Sequence, residues 1–393
     1  MTLDPFNAFL HLDPQPGDGG PTIGVKDNID VAGMPTTAAS KLLRRIPEED
    51  AECVARLRAA GATIAGKLNT HEFAYGALTN SPHFGPALNP WNPEHGCGGS
   101  SGGSGAAVAA GLVNAALGTD TAGSVRIPAA FCGVTGMRPT TGLVSTRGVL
   151  PTSWSLDTVG PLAWSAEECE WLLETMSGGL LDGRDAADDL RVGVLTELFE
   201  DAEPEVATVC EAALAELPGQ KESVAFPLHE ELSTITQLVM LPEAASAHLH
   251  WLRTKLADYG ADVRARLLAG LLLPATAYTT GLRARRWARL EHERALGAYD
   301  VLVAPAMPVT APRLDAIPED YRLLLMPYNS PAALLGLPAL SVPCGFVDGL
   351  PVSLSLTGRP REDRTPLAVA KLFQQTTDWH EHRPERSLAR VAV

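Results

Sequence analysis

Two turns rich in glycine and serine lie within residues 96–128, which read GCGGSSGGSGAAVAAGLVNAALGTDTAGSVRIP. A helix-like stretch of small residues and a short strand-like run connect them, so both turns can lie at one end of a sheet. Ser100 in the first turn and Ser124 in the second turn can then meet. The unit therefore predicts two neighbouring serine hydroxyls at a strand end, where open sheets place catalytic groups.

Two nucleotide-binding motifs are the rivals for such a turn, because backbone N–H groups at a helix N-terminus bind phosphate. A P-loop has a lysine and a hydroxyl residue after its last glycine, whereas Ala106 follows Gly105 here. A dinucleotide-binding turn has an acidic residue about 20 positions later in a βαβ unit. Asp120 instead leads directly into the second turn, so we do not expect a nucleotide site.

Short strand-like runs alternate with helix-like stretches over residues 21–162, and strand-like runs return from residue 300. Residues 166–299 between them are mainly helical. The alternation predicts an α/β fold in which the end of the chain rejoins the sheet begun by its start. The predicted strands are 22–25, 63–65, 115–117, 190–195, 223–226, 301–304, 339–343 and 352–357, and two predicted helices are 51–60 and 105–111.

The charge balance is acidic, with 31 lysines and arginines against 46 aspartates and glutamates. A negative chain repels phosphate and anionic lipid, so we expect neither nucleic acid nor a membrane as a partner. The sequence shows no basic, apolar leader and no apolar run of about 18 residues, which indicates a cytoplasmic protein. Its six cysteines and ten histidines lack zinc-site spacing, so we expect no metal.

A serine nucleophile needs a base, and neither turn contains a histidine. His83 and His95 are the nearest in the chain, and no oriented partner is evident for either. Lys26 is the other candidate, because it follows the apolar run TIGV and would emerge at the end of a buried strand. Burial there would lower the pKa of this lysine toward neutrality, while Asp27 and Asp30 would oppose that if they point the same way.

Lys26 in GVKDNID, Ser100 in GGSSGGS and Ser124 in GTDTAGSVRIPA together resemble the amidase signature family of serine hydrolases. Residues 98–129 fit the signature of that family in residue type and spacing. Similarity extends over about residues 21–379, through segments such as KLNTHEFAYG, FCGVTGMRPT and LGLPALSVPCGF. A gapped match of this length is far more specific than a single glycine motif.

The resemblance implies a single α/β domain over residues 1–393, with a mixed, twisted central sheet covered by helices. Within that domain we expect a catalytic core at 21–165 that carries the lysine and both serines. A mainly helical insertion or cap would follow at 166–299. Strands at 300–380 would then rejoin the sheet.

The resemblance also implies a Ser-cisSer-Lys triad. Ser124 would be the nucleophile, Ser100 the bridging serine after a cis peptide bond, and Lys26 the terminal base. Such acyl-enzyme chemistry needs neither a metal nor an organic cofactor. The oxyanion would be held by four successive backbone N–H groups, those of Thr121, Ala122, Gly123 and Ser124.

Other residues near the motifs are expected to shape the site. Asp120 and Arg126 flank the nucleophile, and we expect them to fix its loop rather than to react. Four side chains that adjoin motif segments are candidates for the wall of a substrate pocket, although each suits core packing equally well. These are Phe73, Tyr75, Cys132 and Trp154.

Three functions are open at this point. The first is a free-standing amidohydrolase that cleaves a small-molecule carboxamide to an acid plus ammonia or an amine. The second is the glutaminase subunit of a tRNA-dependent amidotransferase, and the third is a non-catalytic binding protein of the same fold. The intact trio of Lys26, Ser100 and Ser124 favours an enzyme. The short stretch before Lys26 favours the first function, with a small-molecule amide as partner, and leaves a homodimer open.

Overall fold

Thirteen strands lie in the part of the chain that this computed structural model describes, residues 4–13, 19–185 and 190–385. Eleven of them form one sheet, and two short ones pair separately. The strands are β1 (Phe9–Leu12), β2 (Thr22–Lys26), β3 (Thr63–Leu68), β4 (Asn80–Ser81), β5 (Gly85–Pro86), β6 (Ala115–Asp120), β7 (Thr135–Arg138), β8 (Thr158–Ala163), β9 (Arg191–Val194), β10 (Gln220–Ser223), β11 (Val301–Pro305), β12 (Ala339–Val347) and β13 (Leu350–Gly358).

The large sheet has the order β1-β3-β2-β6-β8-β7-β12-β13-β11-β9-β10. Strand β2 is parallel to both β3 and β6, whereas β6, β8, β7 and β12 are joined by antiparallel pairing. Met137 in β7 pairs with Leu340 in β12, so strands from the two ends of the chain share one sheet. The expected α/β domain with a mixed central sheet is confirmed.

Twelve α-helices accompany the strands in the described residues, together with three 3₁₀ turns at Glu72–Ala74, Leu256–Asp258 and Trp379–Glu381. The longest, α10, precedes β11, and α11 follows it. The helices are α1 (Glu52–Ala59), α2 (Gly102–Ala109), α3 (Arg126–Cys132), α4 (Ala166–Ser177), α5 (Thr196–Glu200), α6 (Pro204–Glu216), α7 (His229–Ala247), α8 (Leu249–Thr254), α9 (Ala261–Leu272), α10 (Ala275–Leu296), α11 (Tyr321–Leu335) and α12 (Arg364–Thr376).

The two faces of the sheet pack against different helices, because successive side chains of a strand point to opposite faces. Ile23 and Val25 in β2 pack in the core formed with α1, α4, α6 and α12. Ala116 in β6 packs with α2 and α3 on the opposite face. On that same face, Leu302 in β11 packs in a core with α7, α9, α10 and α11. The protein therefore has three layers.

The helical part of the chain serves both outer layers. Helices α4 and α6 pack on one face of the sheet, and α7, α9 and α10 pack on the other. Strand β10 covers Gln220–Ser223, so the predicted strand at 223–226 is wrong. All residues of β10 are exposed at the sheet edge, and the apolar Val224 and Phe226 follow the strand and pack in a core beside it.

Two further observations concern the whole described part of the chain. None of its helices is long and apolar enough to cross a membrane. The six cysteines are free thiols, all buried. Burial raises the pKa of Cys53 to about 12, so this thiol stays protonated near neutral pH and packs as a small apolar side chain.

The core under β6 gives a test of this packing. Leu117 in β6 is fully buried in the core formed with α1, α4, α6 and α12, so Leu117→Ala leaves a cavity. We expect the free energy of unfolding, measured with a chemical denaturant, to fall by about 2–5 kcal/mol. The matched control is Leu272→Ala, because Leu272 is 84% exposed. A loss below about 1 kcal/mol for Leu117→Ala, on the order of a surface change, would contradict the assigned core.

Candidate active site

The residues predicted to act together lie at one end of two parallel strands. Lys26 is the last residue of β2, and Ser124 follows the end of the neighbouring strand β6. Parallel strands end at the same edge of a sheet, so the two residues meet there. Ser100 lies just before α2, which packs on the same face of the sheet as α3.

Lys26 is buried and held by oxygen atoms. Its Nζ donates to Ser100 Oγ over 2.7 Å, to Thr119 Oγ1 over 2.8 Å and to the Thr119 carbonyl over 3.3 Å. Burial lowers the pKa of Lys26 to about 7, although the nearby carboxylates of Asp120 and Asp157 act to raise it. A substantial fraction of this lysine is therefore neutral near pH 7, as a base requires.

The two acidic residues next to Lys26 in sequence have other partners. Asp27 lies 3.0 Å from Lys67 Nζ, in an ion pair with both side chains buried. Asp30 pairs with Arg45 over 2.7 Å. Neither carboxylate is among the charges that raise the pKa of Lys26. Asp120 and Asp157 have that effect instead.

Asp157 is one of the two carboxylates that do act on Lys26. It precedes β8, and it accepts from Thr121 Oγ1 over 2.6 Å and from the N–H groups of Thr152 and Ser153. Burial raises the pKa of Asp157 to about 6, although those hydrogen bonds act to lower it. Its charge therefore changes in nearly the same pH range as that of Lys26.

Ser100 is fixed from both sides. The Gly99–Ser100 peptide bond is cis, and the Ser100 carbonyl accepts from Thr70 Oγ1 over 2.8 Å and from Thr79 Oγ1 over 3.1 Å. The next residue in the turn donates its N–H to the Ser124 carbonyl over 3.2 Å. This bond holds the two serine-bearing turns against each other.

Asp120 organises the turn that carries Ser124. Its carboxylate accepts from the N–H groups of Gly123 and Val125 over 2.8 and 3.2 Å. Arg126 Nε and Arg138 each donate to it over 3.1 Å. Burial alone would raise the pKa of Asp120, but the two guanidinium groups hold it well below its usual range. The carboxylate therefore stays ionised, and it holds the turn closed.

Gly123 is required by the path of this turn. Its φ is +119°, and a Cβ atom there would lie 2.6 Å from Cβ of Asn329 on α11. Its N–H, one of the four groups predicted to hold an oxyanion, already donates to Asp120. The remaining three groups of that prediction belong to Thr121, Ala122 and Ser124.

A cavity of about 480 Å³, including its open mouth, lies next to Ser124. Tyr75, Met240 and Arg322 form part of its wall, and Gly99 lines it together with Ser124. A concave, mostly apolar space with a few polar groups is typical of a site for a small molecule. The full lining is Ala74, Tyr75, Gly76, Ala77, Gly99, Thr121, Ala122, Ser124, Ile127, Thr152, Met240, Arg322, Leu325 and Met326.

The four predicted wall residues are placed differently. Tyr75 lines the cavity. Phe73 is buried two residues earlier, with its ring centroid 4.5 Å from that of His248. Cys132 packs in the core between α2 and α3, and Trp154 is 54% exposed. The structure thus brings one of the four to the cavity and leaves three outside its lining.

Several functional side chains were not identified from the sequence. Thr119, which accepts a hydrogen bond from Lys26, lies in the GTDTAGS motif directly before Asp120. Its position in that motif could have identified it as part of the site. Arg138 ends β7 and had no local signal. Arg322 lies 198 positions after Ser124, and only the fold brings α11 to the cavity.

A family model described as Amidase matches residues 19–367 of the chain. The chain belongs to the amidase family. A glutamyl-tRNA(Gln) amidotransferase subunit from Methanosarcina mazei is 37% identical, in a match that covers 93% of this chain and 86% of that protein. The resemblance drawn from the sequence motifs is therefore confirmed.

Two solved structures agree with this assignment. One, the crystal structure of an amidase, superposes with a TM-score of 0.88 at 34% identity, covering 94% of this chain and 92% of the other. A glutamyl-tRNA(Gln) amidotransferase subunit from Thermotoga maritima superposes with a TM-score of 0.82 at 34% identity, covering 96% and 89%. The chain is an amidohydrolase of the amidase signature type.

These relatives contradict two expectations drawn from the sequence. The expected free-standing amidohydrolase that acts on a small-molecule carboxamide is wrong, because the relatives matched across the chain are named as amidotransferase subunits. The expected partners, a small-molecule amide alone and no nucleic acid, are wrong for the same reason, because these relatives are named as subunits of an enzyme that acts on glutamyl-tRNA(Gln). Net charge describes the whole chain, so it does not exclude a component of an assembly that acts on tRNA.

Asp120 provides a test of how the nucleophile turn is held. Asp120→Asn keeps the shape of the side chain but leaves Arg126 and Arg138 buried without a counter-charge. We expect the free energy of unfolding to fall by about 3–5 kcal/mol in chemical denaturation. The exposed Asp201→Asn serves as the control, and equal stability of the two variants would contradict the role given to Asp120.

Proposed function

We propose that this chain is the glutamine-hydrolysing subunit of a tRNA-dependent amidotransferase, the second of the functions open from the sequence. The observation that carries the proposal is the 37% identity, over 93% of the chain, to a protein named as a glutamyl-tRNA(Gln) amidotransferase subunit. The hydrogen bond from Lys26 Nζ to Ser100 Oγ supports it, because a glutaminase of this family needs such a relay. The reaction converts glutamine and water to glutamate and ammonia.

In the proposed acylation step, neutral Lys26 accepts a proton from Ser100 Oγ. Ser100 in turn accepts the proton of Ser124 Oγ, which attacks the carboxamide carbon of glutamine. Thr119 keeps the lysine nitrogen in place through its hydroxyl and carbonyl. The Ser100 hydroxyl then protonates the leaving nitrogen and recovers a proton from Lys26 Nζ, so ammonia departs, a γ-glutamyl ester remains on Ser124 and the lysine is neutral again.

The negative charge that develops on the carboxamide oxygen needs hydrogen-bond donors. We assign this role to the backbone N–H groups of Thr121, Ala122 and Ser124, since that of Gly123 is bonded to Asp120. Water, deprotonated by the same relay, then hydrolyses the ester. The products are glutamate and the restored Ser124 hydroxyl.

Ser124 gives the direct test of this function. The chain is assayed for ammonia release from glutamine, alone and with the other subunits of a glutamyl-tRNA(Gln) amidotransferase, and the complex is assayed for glutaminyl-tRNA. We expect Ser124→Ala to abolish both activities with an unchanged thermal midpoint, because its hydroxyl lines a cavity. Ser104→Ala is the control, since that hydroxyl donates to the Leu117 carbonyl outside the cavity lining. No glutamine hydrolysis by the wild-type complex would overturn the proposal.

The pH dependence tests Lys26 as the base. Because the pKa of Lys26 is about 7 and the neutral form is active, kcat/KM should rise with pH through about 7 and level off above it. Lys26→Arg should lose at least about a hundredfold at every pH, because guanidinium stays protonated. The exposed Lys255→Arg is the control. Retention of more than about a tenth of kcat/KM by Lys26→Arg would exclude the relay.

A second variant distinguishes Lys26 from Asp157, whose pKa is about 6. The charge of Asp157 acts to raise the pKa of Lys26. Asp157→Asn should therefore move the acidic limb of the profile to lower pH while a limb remains. Loss of the limb would instead assign it to Asp157.

A further inference from the structure

Two polar groups in the cavity wall are poorly matched by the described residues: one has no hydrogen-bond partner, and the other is a cation without a carboxylate partner. The Tyr75 hydroxyl is buried, and no hydrogen-bond partner for it exists among the described residues. The Arg322 guanidinium contacts only neutral atoms there, Met326 Sδ over 3.6 Å and Gln237 Oε1 over 3.4 Å. Buried polar groups without partners are rare in folded proteins, so such groups in a cavity indicate a ligand.

The charge at this end of the cavity is positive. Arg322 carries the one formal charge in the lining given above, which includes no carboxylate. Arg266 lies nearby, with its guanidinium 5.1 Å from the Tyr75 ring centroid, but it is paired with Asp262 over 2.9 Å. Burial raises the pKa of Tyr75 to about 12, although Arg266 and Arg322 act to lower it. The hydroxyl therefore remains a donor beside an uncompensated cation.

The position of Arg322 relative to the nucleophile follows from α11. Asn329 on this helix lies against Gly123, next to Ser124. Arg322 is seven residues earlier, or two turns and about 10 Å along the axis, and Leu325 and Met326 line the cavity between them. A substrate with its amide at Ser124 therefore extends along an apolar wall toward Arg322.

We propose that Tyr75 and Arg322 together bind a carboxylate of the amide substrate, at the end of the cavity away from Ser124. A phenol and a guanidinium provide convergent donors for carboxylate oxygens, and Arg322 can bind them in a bidentate manner. Resting on the proposed function, the inference assigns this carboxylate to the α-carboxylate of glutamine.

The cavity lining also bears on whether the α-amino group of the substrate is recognised. The α-ammonium group of glutamine has no carboxylate to meet among the lining residues. It therefore forms no ion pair with the lining, whereas the α-carboxylate can form one with Arg322. The site therefore selects an anionic amide and accepts glutaramate, which is glutamine without its α-amino group.

The test uses three amides with the wild-type protein in its complex. We expect kcat/KM for glutaramate to lie within about tenfold of that for glutamine, and kcat/KM for 4-aminobutanamide, which lacks the carboxylate, to be about a hundredfold lower. Tyr75→Phe should lose about tenfold and Arg322→Met about a hundredfold on both anionic amides. The losses should appear in KM, because the contacts are remote from the reacting atoms. Neither variant should lower kcat/KM for 4-aminobutanamide, because this amide has no carboxylate to lose contact with either side chain.

Tyr321→Phe is a matched control for Tyr75→Phe. Tyr321 is adjacent to Arg322, and its hydroxyl is also buried without a partner among the described residues, but it packs in a core outside the cavity lining. Arg283→Met, an exposed position on α10, is the control for Arg322→Met. Equal losses in a variant and its control would overturn the inference.

A binding measurement separates the inference from the proposed function. Glutarate, titrated calorimetrically into Ser124→Ala protein, reports the carboxylate site without turnover. Binding that weakens at least about tenfold in Arg322→Met and in Tyr75→Phe supports the inference even if glutamine is not a substrate. Unchanged binding in both variants, or no binding of glutarate, overturns it even if glutamine is hydrolysed.

Discussion

The buried carboxylate of Asp120 is the interaction on which the site depends. It ends β6, closes the turn that carries Ser124, and neutralises Arg126 at the start of α3 and Arg138 at the end of β7. Arg126 also donates to the Asn329 carbonyl over 2.9 Å. A single charge thus joins two strands, the turn that carries Ser124 and α11, and its removal would leave two buried guanidinium groups without this partner.

Two lysines on neighbouring strands show how surroundings determine the chemistry of a side chain. Lys67 in β3 and Lys26 in β2 are both buried, and burial lowers the pKa of each. Lys67 has the Asp27 carboxylate at 3.0 Å, which favours its charged form. Lys26 instead donates hydrogen bonds to hydroxyl and carbonyl oxygens, which carry no full negative charge. The second arrangement leaves a lysine free to lose its proton near pH 7.

The sequence was most informative where chemistry is local. The turns around Ser100 and Ser124, the strand that ends at Lys26 and the α/β class could all be predicted, because each depends on residues close together in the chain. The cavity could not, since Tyr75, Met240 and Arg322 come from three distant segments that only the tertiary fold brings together. Net charge was a poor guide to partners for a related reason, because it averages over surfaces that face different neighbours.

Different parts of helix α11 contact the Ser124 turn and line the cavity. At Asn329 the helix lies against the turn that carries Ser124, while Arg322, Leu325 and Met326 in its preceding two turns form part of the cavity wall. The proposed reacting groups, Lys26, Ser100 and Ser124, come from β2, from the turn before α2 and from the turn after β6. A change of acyl preference therefore does not require a new catalyst. Exchanging the side chains at positions 322, 325 and 326 would change the length or charge of the amide that the cavity accepts and leave Lys26, Ser100 and Ser124 in place.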